Sequence, residues 1–431
     1  MTVNRAVRSA ILPLLLITSL FFLWGMANNL NDILIKQFKK AFILTDLQTG
    51  FVQSAFYMGY FLLAIPAGLL MRRYGYKRAV VVGLVLYGIG ALLFYPAAQS
   101  ATYGMFLAAL FVIASGLAFL ETAANPLVTV LGDPAKSEQR LNLAQSFNPV
   151  GSIVGLYIGK VFILSGIERD EAQLAGMSAT DQHSFYSSEI LRTVPPYIAI
   201  GLFVLAWAAL VAFTRFPEAA TRRVQDDHDQ LRWGEALGGV FRKKHLLFAV
   251  LAQFFYVGAQ VGVWSYTIRY AQGTAGVDEK AAADWVIAAL VTFTVGRFVG
   301  SALMSRFNPA RLMAVYAVIN VVLALVAVFM PGKTGLIALT ALSFFMSIMF
   351  PTIFALGVKD LGPYTQTGAS LIVMAIIGGA VLTPLMGAVS TYHSINMAML
   401  VPATCFVVIA VYALSSVRRA AELNTAGAGG H

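Results

Sequence analysis

Charge is what this chain has least of. Only 12% of its 431 residues are Asp, Glu, Lys or Arg, while 58% are apolar, and the mean hydropathy is +0.75. A soluble domain carries about twice that charged share, so water is not the main solvent of this protein. Cysteine is nearly absent as well. Cys405 stands alone, which excludes an internal disulfide. The five histidines, His183, His228, His245, His393 and His431, fall in loops, span ends or the tail, and no His/Cys cluster has metal-ligand spacing. The phosphate-cradling loop of ATP-driven proteins is missing too, so neither ATP nor an enzyme motif offers itself.

What is abundant is apolar sequence in runs of about 20 residues, enough to cross roughly 30 Å of hydrocarbon as helix. They recur at 11–36, 49–71, 79–97, 102–131, 140–165 and 195–215, then at 245–270, 283–304, 312–330, 335–358, 367–391 and 397–416. The expectation is an all-α membrane protein of twelve spans, because a lipid-exposed strand edge leaves its backbone unsatisfied. Arg5 and Arg8 before Ile11 resemble a secretory leader, but the pattern runs on through NNLND into further spans and reads as span one. The formal net charge of +10 raises the question of nucleic acid, and its placement answers it. Arg72, Arg73, Lys77, Arg78, Lys136, Arg140, Arg306, Arg311, Lys359, Arg418 and Arg419 all fall on the side that also holds the central basic run from Arg215 to Lys244. That is the positive-inside pattern, with both termini cytoplasmic. The segment 166–194, with its acidic balance, then lies outside as a loop.

The halves repeat. AGLLMRRYGYKRA from Ala67 aligns with GSALMSRFNPARL from Gly300, placing Arg73 over Arg306 and Arg78 over Arg311 at an offset of 233 residues. The expected organisation is a six-helix half at 1–217, a cytoplasmic linker at 218–244, a second six-helix half at 245–417 and a tail at 418–431. With Gly68, Leu70, Arg73, Gly75, Lys77 and Arg78 the first copy resembles the loop between spans two and three of the major facilitator superfamily. Arg72 stands where that pattern has Asp. The four basic residues read either as topology signals on lipid phosphate or as part of a gate.

Two acids fall well inside the spans, Asp32 on span one and Glu121 on span four, and every other acid is expected to reach water. A carboxylate at bilayer depth is costly, and protonation relieves it, which is the chemistry a proton-coupled carrier needs. The alternative is a permanently paired helix anchor. Trp24, Asn28 and Asp32 recur at helical spacing, with Asn29 beside them. Glu121 and Asn125 are four apart before Pro126, and Gln145 and Asn148 are three apart. Gln253, Tyr256, Gln260 and Trp264 form one stripe on span seven. Amides, carboxylates and indoles on facing helices suit a neutral polyol, although amides also serve as interhelical glue worth about 0.6 kcal/mol each. Arg297, within GRF on span eight, reads as a packing residue, and Gly378 with Gly379 as close helix packing.

The strings FFLWGMANNLNDIL, ETAANPLVTVLG, RLNLAQSFNPVGS, AVLAQFFYVGAQVGVWSYTIRYA and FPTIFALGVKDLG are similar to the bacterial fucose-galactose-hexose symporters, with AQFFYVGAQ and WSY pointing to the fucose branch. The resemblance implies a major facilitator fold in the bacterial inner membrane, proton-coupled uptake of L-fucose or a related aldohexose, and a monomer without cofactor. It implies Asp32 as proton carrier and Glu121 as the deeper coupling acid, with Asn29, Gln145, Asn148 and Trp264 on the sugar. The branch carries Gln-Tyr before PTIF, where this chain has Met349 and Phe350. Loss of that hydroxyl keeps glucose or galactose open as substrate, and sodium as the coupling ion. A membrane sensor that binds sugar without moving it is the reading from another class, and a drug efflux carrier is the rival within transport.

Overall fold

A computed structural model describes residues 12–428, except 14, 28–29, 31–33, 35–36, 39–41, 43–45, 132, 164–172, 174–175 and 217–232. Among the described residues the chain is helical throughout, without a strand. The helices are α1 (Leu15–Ala27), α2 (Asp46–Tyr74), α3 (Tyr76–Gln99), α4 (Tyr103–Val130), α5 (Ser137–Gln145), α6 (Phe147–Ile158), α7 (Ala179–Leu191) and α8 (Val194–Phe213). There follow α9 (Trp233–Phe241), α10 (Lys244–Ala275), α11 (Glu279–Leu303), α12 (Pro309–Phe329), α13 (Lys333–Met346), α14 (Met349–Val358), α15 (Thr365–Met374), α16 (Gly378–Tyr392) and α17 (Leu400–Ala428). Ten stretches among the described residues are long and apolar enough to cross a membrane, and α1 is a shorter apolar helix at the place of the first expected span. Phe213, Leu202, Val322 and Phe329 are more than half exposed, the surface of a protein whose neighbours are lipid tails rather than water.

Helix ends follow local chemistry. Asp278 accepts from the Ala281 amide at 2.8 Å to start α11, and Asn308 accepts from Ala310 and Arg311 at 3.0 and 3.1 Å to start α12, with Pro309 in the first turn. Gly75, at φ 81°, makes the left-handed turn from α2 into α3 that a side chain would resist, and the Arg73 and Arg78 guanidiniums lie 5.3 and 5.5 Å from the Tyr74 ring. Two expectations change here. The acidic segment expected as an outer loop contains a helix, α7, capped by Ser178, rather than loop alone. The fifth span is two helices, α5 and α6, parted at Ser146, where a proline at position 149 follows within the first turn of α6.

The contacts resolve into two compact units, Met1–Glu121 with Phe147–Thr221, and Thr122–Ser146 with Arg222–His431. In the first, α1 and α6 touch backbone to backbone. A Cβ on Gly25 would overlap the Asn148 carbonyl, and one on Gly151 would overlap that of Phe22. Ser152 Oγ donates to Gly25 O at 3.3 Å across the same seam. In the second unit α10 and α16 also pack closely through glycines, Gly258 against the Leu382 side chain and Gly378 against the Phe254 carbonyl. Gly25 and Gly258 are 233 residues apart, so the repeat visible in the basic loops recurs in the close-packed seams. Small residues let helix backbones approach where lipid supplies no hydrophobic drive.

One polar face holds α5 inside the second unit. Glu138, Asn142 and Gln145 lie at i, i+4 and i+7, and each meets a partner far along the chain. Lys359 Nζ donates to Glu138 at 2.9 Å, Asn142 Nδ2 donates to Thr352 Oγ1 at 3.1 Å, and Arg297 donates to Gln145. Arg140, on the opposite side of α5, donates to the Val128 and Thr129 carbonyls in the last turn of α4 and to the Asp133 carbonyl in the connection that follows.

Candidate functional site

Within the first unit the polar centre joins α1, α2 and α4. The Trp24 indole N–H donates to the Tyr60 hydroxyl at 2.9 Å, and the Phe21 ring stacks on Trp24 at 5.5 Å and 17°. Tyr60 lies within electrostatic reach of Glu121. Glu121 is only 3% exposed, the enclosure expected of it from sequence. Asn28, Asn29 and Asp32 lie outside the described residues. Asn148 is half-buried on α6, its backbone against Gly25. The expectation that all other acids reach water does not hold. Glu189 on α7 is buried, with Gln37 Nε2 donating to its carboxylate and to its backbone oxygen at 2.9 Å, and Glu138 is buried against Lys359. Hydropathy counts each as a loop acid because what encloses it is remote in sequence.

Within the second unit the expected residues converge on one that sequence reasoning assigned to packing. Arg297 on α11 is buried, and a guanidinium in that setting must be met by acceptors or leave its charge uncompensated. Its Nε donates to Ser347 O at 2.8 Å, while Nη1 donates to Gln145 O at 2.7 Å and Oε1 at 3.3 Å. Gln145 Nε2 in turn donates to Asn125 Oδ1 at 2.8 Å. The guanidinium lies 4.9 Å over the Phe293 ring, which stands edge-on to Trp264 at 5.0 Å. Trp264 Nε1 donates to Ser343 Oγ at 3.3 Å, and Tyr256, beside Arg297, packs edge-on to Phe350 at 6.2 Å. Asn125, Gln145, Tyr256, Trp264 and Phe350 thus form one connected group, with Gln260 half-buried one turn beyond Tyr256.

Gln253 has unmet capacity at both ends of its amide. It lies one turn before Tyr256, fully buried, and neither its amide oxygen nor its amide nitrogen has a partner. Asn125 Nδ2 and Thr122 Oγ1, a turn apart on α4, are unmet as well. Each such group costs about 1–3 kcal/mol while unsatisfied, so the arrangement favours a hydrogen-bonding guest. No cluster of three or more metal-ligating residues occurs among the described residues. Arg297, Phe293, Ser343 and Tyr60 are the contributors that the sequence reading did not select. For Arg297 a signal was present, since a cation at bilayer depth is itself a functional flag.

The family model of the Major Facilitator Superfamily matches residues 14–376. This chain belongs to that superfamily. It is 47% identical over 412 residues to the L-fucose-proton symporter of Escherichia coli, covering 94% of this chain and 93% of that one. It is 37% identical over 400 residues to a glucose/galactose transporter of Brucella abortus, covering 92% of each. Among solved structures, the major facilitator transporter FucP in the outward conformation superposes with a TM-score of 0.87 at 47% identity, covering 95% of this chain and 99% of that one. The proteins it is similar to are transporters and not enzymes, and the all-helical major facilitator fold is the class that the sequence resemblance implies.

Proposed function

We propose that this superfamily member takes up L-fucose, or a closely related aldohexose, together with a proton across the bacterial inner membrane by alternating access. The observation that carries the reading is a group of buried amides in the second unit whose hydrogen-bonding capacity is unfilled, Gln253 and Asn125 above all, in a chain whose first unit holds a buried acid, Glu121. A sugar hydroxyl donates and accepts, so it satisfies both ends of a primary amide, and the Trp264, Tyr256 and Phe350 rings offer apolar faces for the ring carbons. A drug efflux carrier would not need amides in that number, and a sensor would not need an acid in a greasy setting.

Asp32 and Glu121 are the proton-handling residues in this proposal. Protonation removes the charge that makes burial costly, and release toward the alkaline cytoplasm restores it. The electrical part of the gradient contributes about 2.3 kcal/mol per charge per 100 mV. Trp24, Asn28, Asn29, Asn125, Gln145, Asn148, Gln253, Tyr256, Gln260, Trp264 and Phe350 are the residues proposed to hold the sugar. No cofactor is needed beyond the ion gradient, and the chain works as a monomer with both termini cytoplasmic.

A second reading, a glucose/galactose carrier coupled to protons or sodium, is favoured by Phe350, which meets Tyr256 without a hydroxyl of its own. Counterflow in proteoliposomes with radiolabelled L-fucose, D-galactose and D-glucose, at two pH values and with or without sodium, separates the two. L-Fucose exchange with sodium-independent alkalinisation of the medium supports the first; D-glucose exchange that requires sodium rejects it.

A further inference from the structure

We infer that Arg297 is a positioning residue that dictates which end of each amide in the site donates and which accepts, so that Asn125 presents a fixed N–H donor to the bound sugar. The inference rests on the transport reading above. A guanidinium has donors only, five in a rigid fork, and cannot reverse its role. Nη1 of Arg297 meets both the backbone oxygen and the side-chain Oε1 of Gln145, which fixes Oε1 as an acceptor. The other end of that amide must then donate, and Gln145 Nε2 does so to Asn125 Oδ1 at 2.8 Å. Asn125 Oδ1 is consumed as an acceptor, which leaves Nδ2 as the donor at the end of the relay. Nδ2 is buried on a residue with no exposed surface and has no partner.

The oxygen and nitrogen of an amide are distinguished by the chain of hydrogen bonds they join. Here the chain starts at a group that cannot accept, so each later amide has one orientation. Ser347 O on Nε and the Phe293 ring under the guanidinium hold Arg297 itself in register. The consequence is chemical selectivity: the ligand atom opposite Asn125 has to accept. A hydroxyl or ring oxygen does; an ammonium, as on an amino sugar, has no lone pair to offer and is rejected at that position.

The test uses the full chain in proteoliposomes, with half-saturation for L-fucose counterflow and equilibrium binding of L-fucose as readouts. R297Q replaces a group that only donates with one that can do either, so Gln145 becomes free to turn. R297Q and N125A should each weaken L-fucose binding about tenfold, whereas R297K, still a pure donor, stays within about threefold of the parent protein. Because Arg297 acts through Asn125, R297Q/N125A should be no weaker than N125A within about threefold. If R297K is as impaired as R297Q, or if the two losses multiply in the double variant, the inference is overturned. Should R297Q fail to fold, Q145A breaks the relay one step later and must show the same non-additivity with N125A; additivity there overturns the inference equally. If the parent chain binds none of L-fucose, D-galactose and D-glucose, the transport reading fails by itself. Thermal unfolding of the same variants then decides the relay, coupled losses sustaining it and additive losses refuting it.

Discussion

Replacing Lys359 by Met isolates the charge on Glu138, and the two ends of that pair are unequal. They meet at 2.9 Å, but the Glu138 side chain is 4% exposed and that of Lys359 is 47% exposed. In E138Q the freed ammonium reaches water, so the cost resembles that of an exposed pair, about 0.2–1 kcal/mol. In K359M the carboxylate stays enclosed, and losing one partner of a fully buried pair costs about 3–5 kcal/mol. Two features reduce that figure to about 2 kcal/mol here: Ser137 Oγ still donates to Glu138 at 2.9 Å, and Arg140 remains within electrostatic reach. The double variant E138Q/K359M should return close to E138Q alone, because removing the carboxylate removes the penalty. Reversible unfolding of the purified chain in mixed micelles, at fixed ionic strength, measures all four proteins. Equal costs for E138Q and K359M, or strictly additive costs in the double variant, would refute the asymmetry drawn from the two exposures.

Gln253→Leu should leave the empty protein as stable as before or slightly more so, since a fully buried amide with no partner is exchanged for an apolar side chain of similar size, yet weaken sugar binding about tenfold; thermal unfolding and counterflow on the same preparation read both. Gly25→Ala puts a methyl group onto the Asn148 carbonyl and should cost about 1–3 kcal/mol, seen as a lower unfolding midpoint and reduced yield, with no such effect from Gly104→Ala, whose Cβ meets nothing. Asp32→Asn should abolish concentrative uptake while preserving counterflow; persistence of sugar-induced alkalinisation in that variant would dismiss the proton role of this acid.

Legibility in the sequence followed the range of the physics involved. Hydropathy and helical spacing are local, so the apolar spans, the repeat at 233 residues, the enclosure of Glu121 and the amide-aromatic stripe on α10 are all legible in the order of residues. The positive-inside bias is likewise a matter of counting along the chain. Partner choice is not local. Gln145 and Arg297 are 152 residues apart, as are Gln37 and Glu189, and no periodicity links them. Burial of Glu138 and Glu189 therefore escaped a reading that judged each acid by its neighbours in sequence. The division of the fifth span, which places Gln145 in one unit and Asn148 in the other, escaped for the same reason. The sequence by itself determined that this chain lives in a bilayer with few charges to spare. Which of those charges face one another, and which amide is left with a donor unmet, depended on distances across the folded helices, because hydrogen bonds and desolvation act over a few ångströms of space rather than along the chain.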